Sequence, residues 1–482
     1  MTALDPTPPT ALGEAPDLDP REAPAEHHER GRSARAEVPR SAHAELPARR
    51  GPSALRLLAA QDVGRVADLL PLRYARMGAS PFTFLRGSAA VMTADLARTP
   101  VSGIEVQLCG DAHLANFGFF SSPERRLVFD VNDFDETLTG PWEWDVKRLA
   151  ASVEVAGRDR EFSPADRELA VLAAVSGYRK AMRRYARMTT LEVWYDLLEA
   201  EDALRRYRRR IAPGRRTRME RDLDKFRSRD NLGALARFTS LVDGAPRIRS
   251  APPLVVPVRD MYPEEVARRG IEEWIQDILV GYRQTLPPDR RWLFDRYRPV
   301  DAAQKVVGVG SVGTRCWMLL FLGRDAADPL FLQAKEAGPS TLESVLGSAP
   351  QPTAGQRVVE GQRRMQAVGD IFLGWQRAAG PDGQERDFYL RQLRDGKGSI
   401  DLTSLRSNGL VIYADLCGRT LARAHARSGD RIAIAGYLGS SDSFDRALAV
   451  FARSYAERTE SDHAALRRAI DAGRITVADD PK

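Results

Sequence analysis

Cysteine is scarce in this chain: three residues in 482, at Cys109, Cys316 and Cys417. An odd, widely spaced trio excludes a disulfide framework and a cysteine-built zinc site, and it suits a reducing cytoplasm. Histidine is nearly as rare, with six residues, and lysine supplies only seven of the 72 cationic side chains. No uninterrupted apolar run approaches the ~18–20 residues that a membrane helix needs, so no membrane partner is expected. The first 24 residues are rich in proline and acid and lack the apolar stretch of a secretory leader, which points to a cytoplasmic protein.

The remaining composition is that of a folded chain. Hydrophobic residues make up 43 %, which supports a real core and excludes a wholly disordered or fibrous protein. The net charge of +6 is mild for this length. Arginine enrichment with little lysine reflects a GC-rich coding sequence more readily than a nucleic-acid surface. Against that background a lysine inside an apolar strand stands out.

Four segments follow from the composition shifts. Residues 1–30 carry almost no large apolar side chain and read as a disordered tail. Residues 31–299 read as a mostly helical catalytic lobe, with an amphipathic helix over Pro52–Leu70, a helix from Gly87 to Ala97, strands ending at Cys109 and Val131, and helix throughout 160–242. Residues 300–400 read as a glycine-rich strand lobe with a helix over Gln356–Trp375, and residues 401–482 as helices packing back on the catalytic lobe. The run Arg205-Arg206-Tyr207-Arg208-Arg209-Arg210 and its continuation to Arg229 read as a solvated helix face, because few aromatics accompany it. No nucleic-acid partner is expected, and oligomeric state has no signal.

Chemistry concentrates in two loops. Gly110-Asp111-Ala112-His113-Leu114-Ala115-Asn116 follows an apolar strand, and Asn132-Asp133-Phe134-Asp135-Glu136 follows another. Two strand ends presenting Asp, Asn and Asp form the oxygen-rich donor set that Mg²⁺ prefers. An Asp, an Asn five residues on, then an Asp-Phe after a short hairpin is the catalytic-loop and metal-loop spacing of kinases. In that reading Asp111 accepts the acceptor hydroxyl proton, while Asn116 and Asp133 hold magnesium. The six histidines do not supply the ligand set of the rival reading, a two-metal phosphoesterase.

A site for ATP is expected downstream. Gly308-Val309-Gly310-Ser311-Val312-Gly313 lies between two apolar segments, and the residues after it read as a strand rather than the helix of a dinucleotide fold. Lys335 then closes the strand Leu330–Lys335. A glycine hairpin followed by a strand lysine is the kinase phosphate clamp. Glu360 is the expected carboxylate partner of Lys335, with Glu343 the alternative, and the strand Phe388–Leu393 is expected to lead to the segment that contacts adenine.

Gly110-Asp111-Ala112-His113 with Asn116, extended by Gly140-Pro141-Trp142-Glu143-Trp144-Asp145, resembles the small-molecule kinases of the aminoglycoside and choline phosphotransferase type. The resemblance implies that the helix opening at Asp145 braces the catalytic loop. Arg76-Met77-Gly78-Ala79-Ser80-Pro81-Phe82-Thr83-Phe84-Leu85-Arg86-Gly87, the two acidic loops, Lys305–Gly313 and Ala422-Arg423-Ala424-His425-Ala426 together resemble the bacterial family called domain of unknown function 2252. That likeness implies a cytoplasmic bacterial protein and names no substrate. The expected fold is α+β, kinase-like and two-lobed, circularly permuted so that the catalytic lobe precedes the nucleotide lobe. The expected function is an ATP- and magnesium-dependent phosphotransferase acting on a hydroxyl of a small molecule or protein. Its alternative is a pseudokinase-like module that binds a nucleotide without turnover.

Overall fold

The computed structural model describes residues 21–478, apart from 212, 263, 307, 309, 311, 380–382, 394 and 395. The chain is α+β, and no helix among the described residues is long and apolar enough to cross a membrane. β1 (Glu105–Leu108) leads through a loop into a hairpin of β2 (Phe117–Ser121) and β3 (Leu127–Val131). β4 (Leu138–Pro141) then returns antiparallel to β1, with Leu108 opposite Leu138. This pairing puts both acidic loops at one end of the two short sheets, because one loop leaves β1 and the other enters β4.

Helices enclose these strands. Trp142–Asp159 begins where β4 ends, and its residues from Trp142 to Gly157 are all buried. Pro164–Tyr185 and Ser407–Ser428 lie against one another so closely that a Cβ at Gly418 would stand 2.0 Å from the Ala174 carbonyl oxygen. Only glycine permits that approach. The Tyr413 hydroxyl on the later helix donates to the carbonyls of Leu114 (2.9 Å) and Phe117 (3.1 Å), tying the C-terminal helices to the first acidic loop.

A second core surrounds a six-stranded sheet. After the small hairpin of β5 (Thr239–Val242) and β6 (Ala245–Ile248) come β7 (Val255–Pro257), β8 (Arg298–Lys305), β9 (Cys316–Leu322), β10 (Pro329–Ala337), β11 (Gly374–Ala379) and β12 (Glu385–Gln392). Their order is β11-β12-β10-β9-β8-β7, with every pair antiparallel. Trp317, Leu319 and Phe321 of β9 pack on the helix Glu265–Thr285, while Met318 and Leu320 face the helix Asn231–Phe238. Every residue of β9 is buried, as period-two side chains covered on both faces require.

Four expectations are corrected. Order begins before residue 31: Pro24–Glu37 is a helix, because Gly31 lets it lie on the backbone of Ala433 and His27 bonds Asp430 at 2.8 Å. The amphipathic stretch Pro52–Leu70 is a helix only over Ala54–Asp62; it breaks at Gly64, whose φ of +88° is left-handed, and a second helix starts at Leu70. Helix does not persist to residue 242, since β5 and β6 turn at Asp243-Gly244, both with positive φ. The helix from Ala354 stops at Met365, and Gly374-Trp375 already belong to β11.

Candidate active site

The first acidic loop is held from three sides. Gly110 has φ +82°, and a Cβ there would meet the Glu136 carbonyl at 2.1 Å, so the turn that joins the two loops requires glycine. Asp145, in the first turn of its helix, accepts the backbone N–H groups of Cys109 (2.8 Å) and Gly110 (3.1 Å). His425 bonds the same carboxylate at 3.2 Å and is itself bonded to the Tyr178 hydroxyl at 2.9 Å. The loop backbone is thus fixed by a buried carboxylate with partners of its own.

Asp111 projects from this turn. Arg148 donates to its Oδ1 through Nε (2.7 Å) and lies within 2.6 Å of it through a second nitrogen, which also donates to the Leu85 carbonyl at 2.6 Å. Oδ2 stands 3.5 Å from His113 Nε2. Burial raises the Asp111 carboxyl to about 6, against the opposing pull of Arg148 and with the help of Glu136 and Asp133. His113 is buried and held neutral by desolvation, and its Nδ1 accepts the Ala115 N–H at 3.2 Å, so this ring orients the loop. Asn116 Nδ2 donates to the Asp111 carbonyl (2.6 Å), leaving Oδ1 as its lone-pair atom beside the acidic loop.

The second loop meets the sheet. Lys335, on β10 and only 3 % exposed, pairs with Asp135 and lies 3.9 Å from Asp133 Oδ1. Tyr389 on the neighbouring β12 donates to the other oxygen of Asp135 at 2.8 Å. Burial disfavours the charged Asp135, but Lys335 and Tyr389 outweigh it and hold the carboxyl below its usual range. Burial likewise works against the ammonium of Lys335, and Asp133 and Asp135 more than offset it, raising its pKa. Arg391, also on β12, donates to the Asn132 carbonyl at 3.2 Å.

The expected partners of Lys335 are therefore corrected. Glu360 accepts from Gln356 (2.7 Å) and Gln351 (3.2 Å), and Glu343 bonds the Ser340 N–H (2.8 Å) and faces Arg357 at 3.6 Å. The helix Ala354–Met365 turns Arg357 and Gly361 to the second acidic loop, which carries Glu360 aside. Arg357 donates to the carbonyls of Asp135 (2.9 Å), Thr137 (2.6 Å) and Gly338 (2.8 Å), so it fixes the loop through its backbone. The carboxylate that pairs with Lys335 comes from the second acidic loop itself.

Between the loops and the sheet lies a cavity of about 450 Å³, lined among others by Asp111, Asn116, Asp133, Arg86 and Gly310. Of the glycines, Gly310 lies against Arg86 and Gly313 (φ +92°) accepts the Val66 N–H at 2.8 Å; a Cβ at Gly308 would meet open space. Val307, Val309 and Ser311 of the glycine-rich motif lie outside the described residues. Arg65 donates to the Val312 carbonyl (2.6 Å), so the segment before residue 67 straps this loop.

The donor chemistry fits magnesium. Asp133 Oδ1 is enclosed and has no hydrogen-bond partner among the described residues, and Asn116 lines the same cavity. No group of three or more His, Cys, Asp or Glu is arranged to hold a metal among the described residues. Two oxygen ligands are what a Mg²⁺ ion needs from a protein when phosphates and water complete its shell. Sequence reasoning missed Arg86, which lines the cavity, and Arg148 and Arg357, which hold Asp111 and the second acidic loop. Their only sequence signal is position on helices flanking the motifs.

The arginine-rich stretch lies elsewhere, in the helices Ala200–Tyr207 and Pro213–Arg227 and the turn between them. Arg205 pairs with Asp202 and Arg227 with Asp224 and Glu201, around a cavity of about 520 Å³ whose arginines and carboxylates nearly balance.

No curated protein and no solved structure matches the chain. Residues 65–469 match one family, and they span the acidic loops, Lys335 and the helices that hold them; the chain belongs to the family described as "Uncharacterized protein conserved in bacteria (DUF2252)".

Proposed function

We propose that the chain is an ATP- and magnesium-dependent phosphotransferase with a kinase-like, circularly permuted fold, acting on a hydroxyl acceptor. The observation that carries this reading is the meeting of Lys335 with Asp133 at 3.9 Å, Asp133 lining the cavity that Asp111 and Asn116 also line. Two hundred residues of chain separate the lysine from Asp135, so local folding does not account for the contact. The sheet supports it further. β8 and β9 flank the glycine loop, Lys335 stands on the next strand, and a helix intervenes before the hairpin β11–β12. That order is compatible with a kinase phosphate clamp.

In this reading Lys335 contacts the α- and β-phosphates, and the backbone N–H groups of the glycine loop cover them. Asp133 and Asn116 would hold magnesium, which when bound neutralises charge on the β- and γ-phosphate oxygens. The acceptor oxygen attacks the γ-phosphorus as the bond from phosphorus to the β,γ-bridging oxygen breaks. ADP departs with that electron pair. The acceptor proton passes to Asp111 Oδ2, because Oδ1 is engaged by Arg148.

The ion pair between Asp111 and Arg148 favours a second reading, a nucleotide-binding module without turnover, since the guanidinium occupies one carboxylate oxygen and pulls against the burial that raises the carboxyl to about 6. Thermal unfolding and ATP turnover separate the two. Wild-type protein gains stability with ATP and Mg²⁺ by mass action, and Asp133→Asn loses the magnesium-dependent part. Asp111→Ala keeps nucleotide binding and loses phosphate release or autophosphorylation. Indifference of the wild type to millimolar nucleotides refutes both readings, and binding with turnover no faster than that of Asp111→Ala selects the second.

A further inference from the structure

Among the described residues, the charged side chains that line the cavity beside Asp111 make hydrogen bonds except at two places. Asp111 is bound by Arg148, Asp135 by Lys335, and Glu136 by the Thr341 N–H at 2.6 Å. Glu336 faces Arg315 at 3.3 Å, and Arg65 is spent on the carbonyls of Gln61 and Val312. What remains is the Asp133 oxygen already assigned to a cation, and the guanidinium of Arg86. Arg86 lines the cavity, is largely buried, and makes no hydrogen bond or ion pair with any described residue; its Nε is enclosed without a partner. Desolvation lowers its pKa, with Asp111 the nearest opposing charge.

Its position is fixed although its charge is idle. Arg148 joins Asp111 to the Leu85 carbonyl, so the residue before Arg86 is tied to the catalytic carboxylate. The carbonyl of the next residue, Gly87, accepts from Arg73 at 3.3 Å, and a Cβ at Gly87 would strike Met77 at 2.7 Å. The Arg86 carbonyl backs onto Gly310 of the glycine loop, where a Cβ would stand 3.2 Å away. A guanidinium carried on a fixed backbone into a cavity and left unpaired is a destabilising feature of the ligand-free protein, and such features are retained where a ligand relieves them. Its planar fork suits two oxygens of a phosphate or carboxylate.

We infer that Arg86 binds an anionic group of the ligand beside Asp111, a phosphate or carboxylate carried by the acceptor or the terminal phosphate of the nucleotide. This rests on the phosphotransferase reading only for the naming of acceptor and nucleotide; the anion site itself stands on the cavity and the unpaired guanidinium.

Calorimetric titration of the full chain tests it with inorganic phosphate and, separately, with a non-hydrolysable ATP analogue plus Mg²⁺, on wild type, Arg86→Gln and Arg86→Lys. Arg86→Gln is expected to lose at least tenfold in phosphate affinity, Arg86→Lys less. Analogue affinity within twofold of wild type assigns the anion to the acceptor; a parallel tenfold loss assigns it to the nucleotide. Ligand-free Arg86→Gln is expected to melt at or above the wild-type temperature, which a structural role would not allow. Equal phosphate affinity in wild type and Arg86→Gln overturns the inference, and so does a variant that melts well below the wild type. Failure of the wild type to bind the analogue while phosphate binding still depends on Arg86 refutes the kinase reading and leaves the anion site standing.

Discussion

Replacing Lys335 by Met keeps most of the stem and removes the charge, and two different losses are expected. Breaking a fully buried ion pair by removing one partner costs about 3–5 kcal/mol. Asp135 is 27 % exposed and retains the Tyr389 hydroxyl, so roughly half of that, about 2 kcal/mol, is expected here. At roughly 1 °C per kcal/mol for a chain of this length unfolding as one unit, this lowers the melting temperature by about 2 °C. The deficit depends on pH. In the wild type Asp135 titrates below its unfolded value, so its contribution is present above that value and lost as pH falls through the folded one. Without Lys335 burial dominates and the carboxyl rises, so the gap to wild type narrows as pH is lowered toward 4. Nucleotide affinity falls separately, by roughly 10–150-fold for the loss of charged hydrogen bonds worth about 1.5–3 kcal/mol.

The double variant Lys335→Met/Asp135→Asn separates the two. Removing the abandoned carboxylate is expected to return at least half of the lost stability, measured by denaturant midpoint at unchanged slope. Nucleotide affinity is expected to stay low, because the ammonium proposed to contact phosphate is still missing. Recovery of both would make Lys335 a structural residue and refute its assignment to the clamp. Single-variant stability equal to wild type would refute the ion-pair reasoning itself.

Turnover is expected to rise with pH through about 6 as Asp111 loses its proton, and a pH–rate profile of Asp111→Asn is expected to lack that rise. The same group adds stability below the unfolded carboxylate value and loses it as pH rises through about 6; Asp111→Asn removes that part of the pH dependence of melting in the ligand-free protein. Gly110→Ala places a side chain in left-handed backbone and against the Glu136 carbonyl, so a loss of about 2 kcal/mol or more is expected in equilibrium unfolding, the left-handed conformation alone accounting for roughly 1–2 kcal/mol.

The features legible in the sequence were those set by local pattern. β9 and β10 are dense apolar runs divided by Gly323 and the acidic turn after it, and the loop Asp111–Asn116 is short enough for its spacing to fix its geometry. One strong local signal was overridden. Asp243-Gly244 between short apolar runs is the sequence of a two-residue hairpin turn, yet the helical composition on its N-terminal side carried the reading past it. What was not legible is pairing across the cleft. Glu360 was chosen because a helix after a strand lysine can offer it a carboxylate, but a helix presents only one face, and which face is set by packing. Here Gly361 lies against Thr137 with no room for a Cβ, and that contact turns Arg357 toward the second acidic loop. With a cation facing the loop carbonyls, the carboxylate for Lys335 must come from another element, and Asp135 stands within the same loop whose backbone Arg357 holds. The sheet lysine and the helix arginine thus bind one loop from opposite sides, through its side chain and its carbonyls. An arrangement built from three segments so distant in sequence leaves no spacing to read.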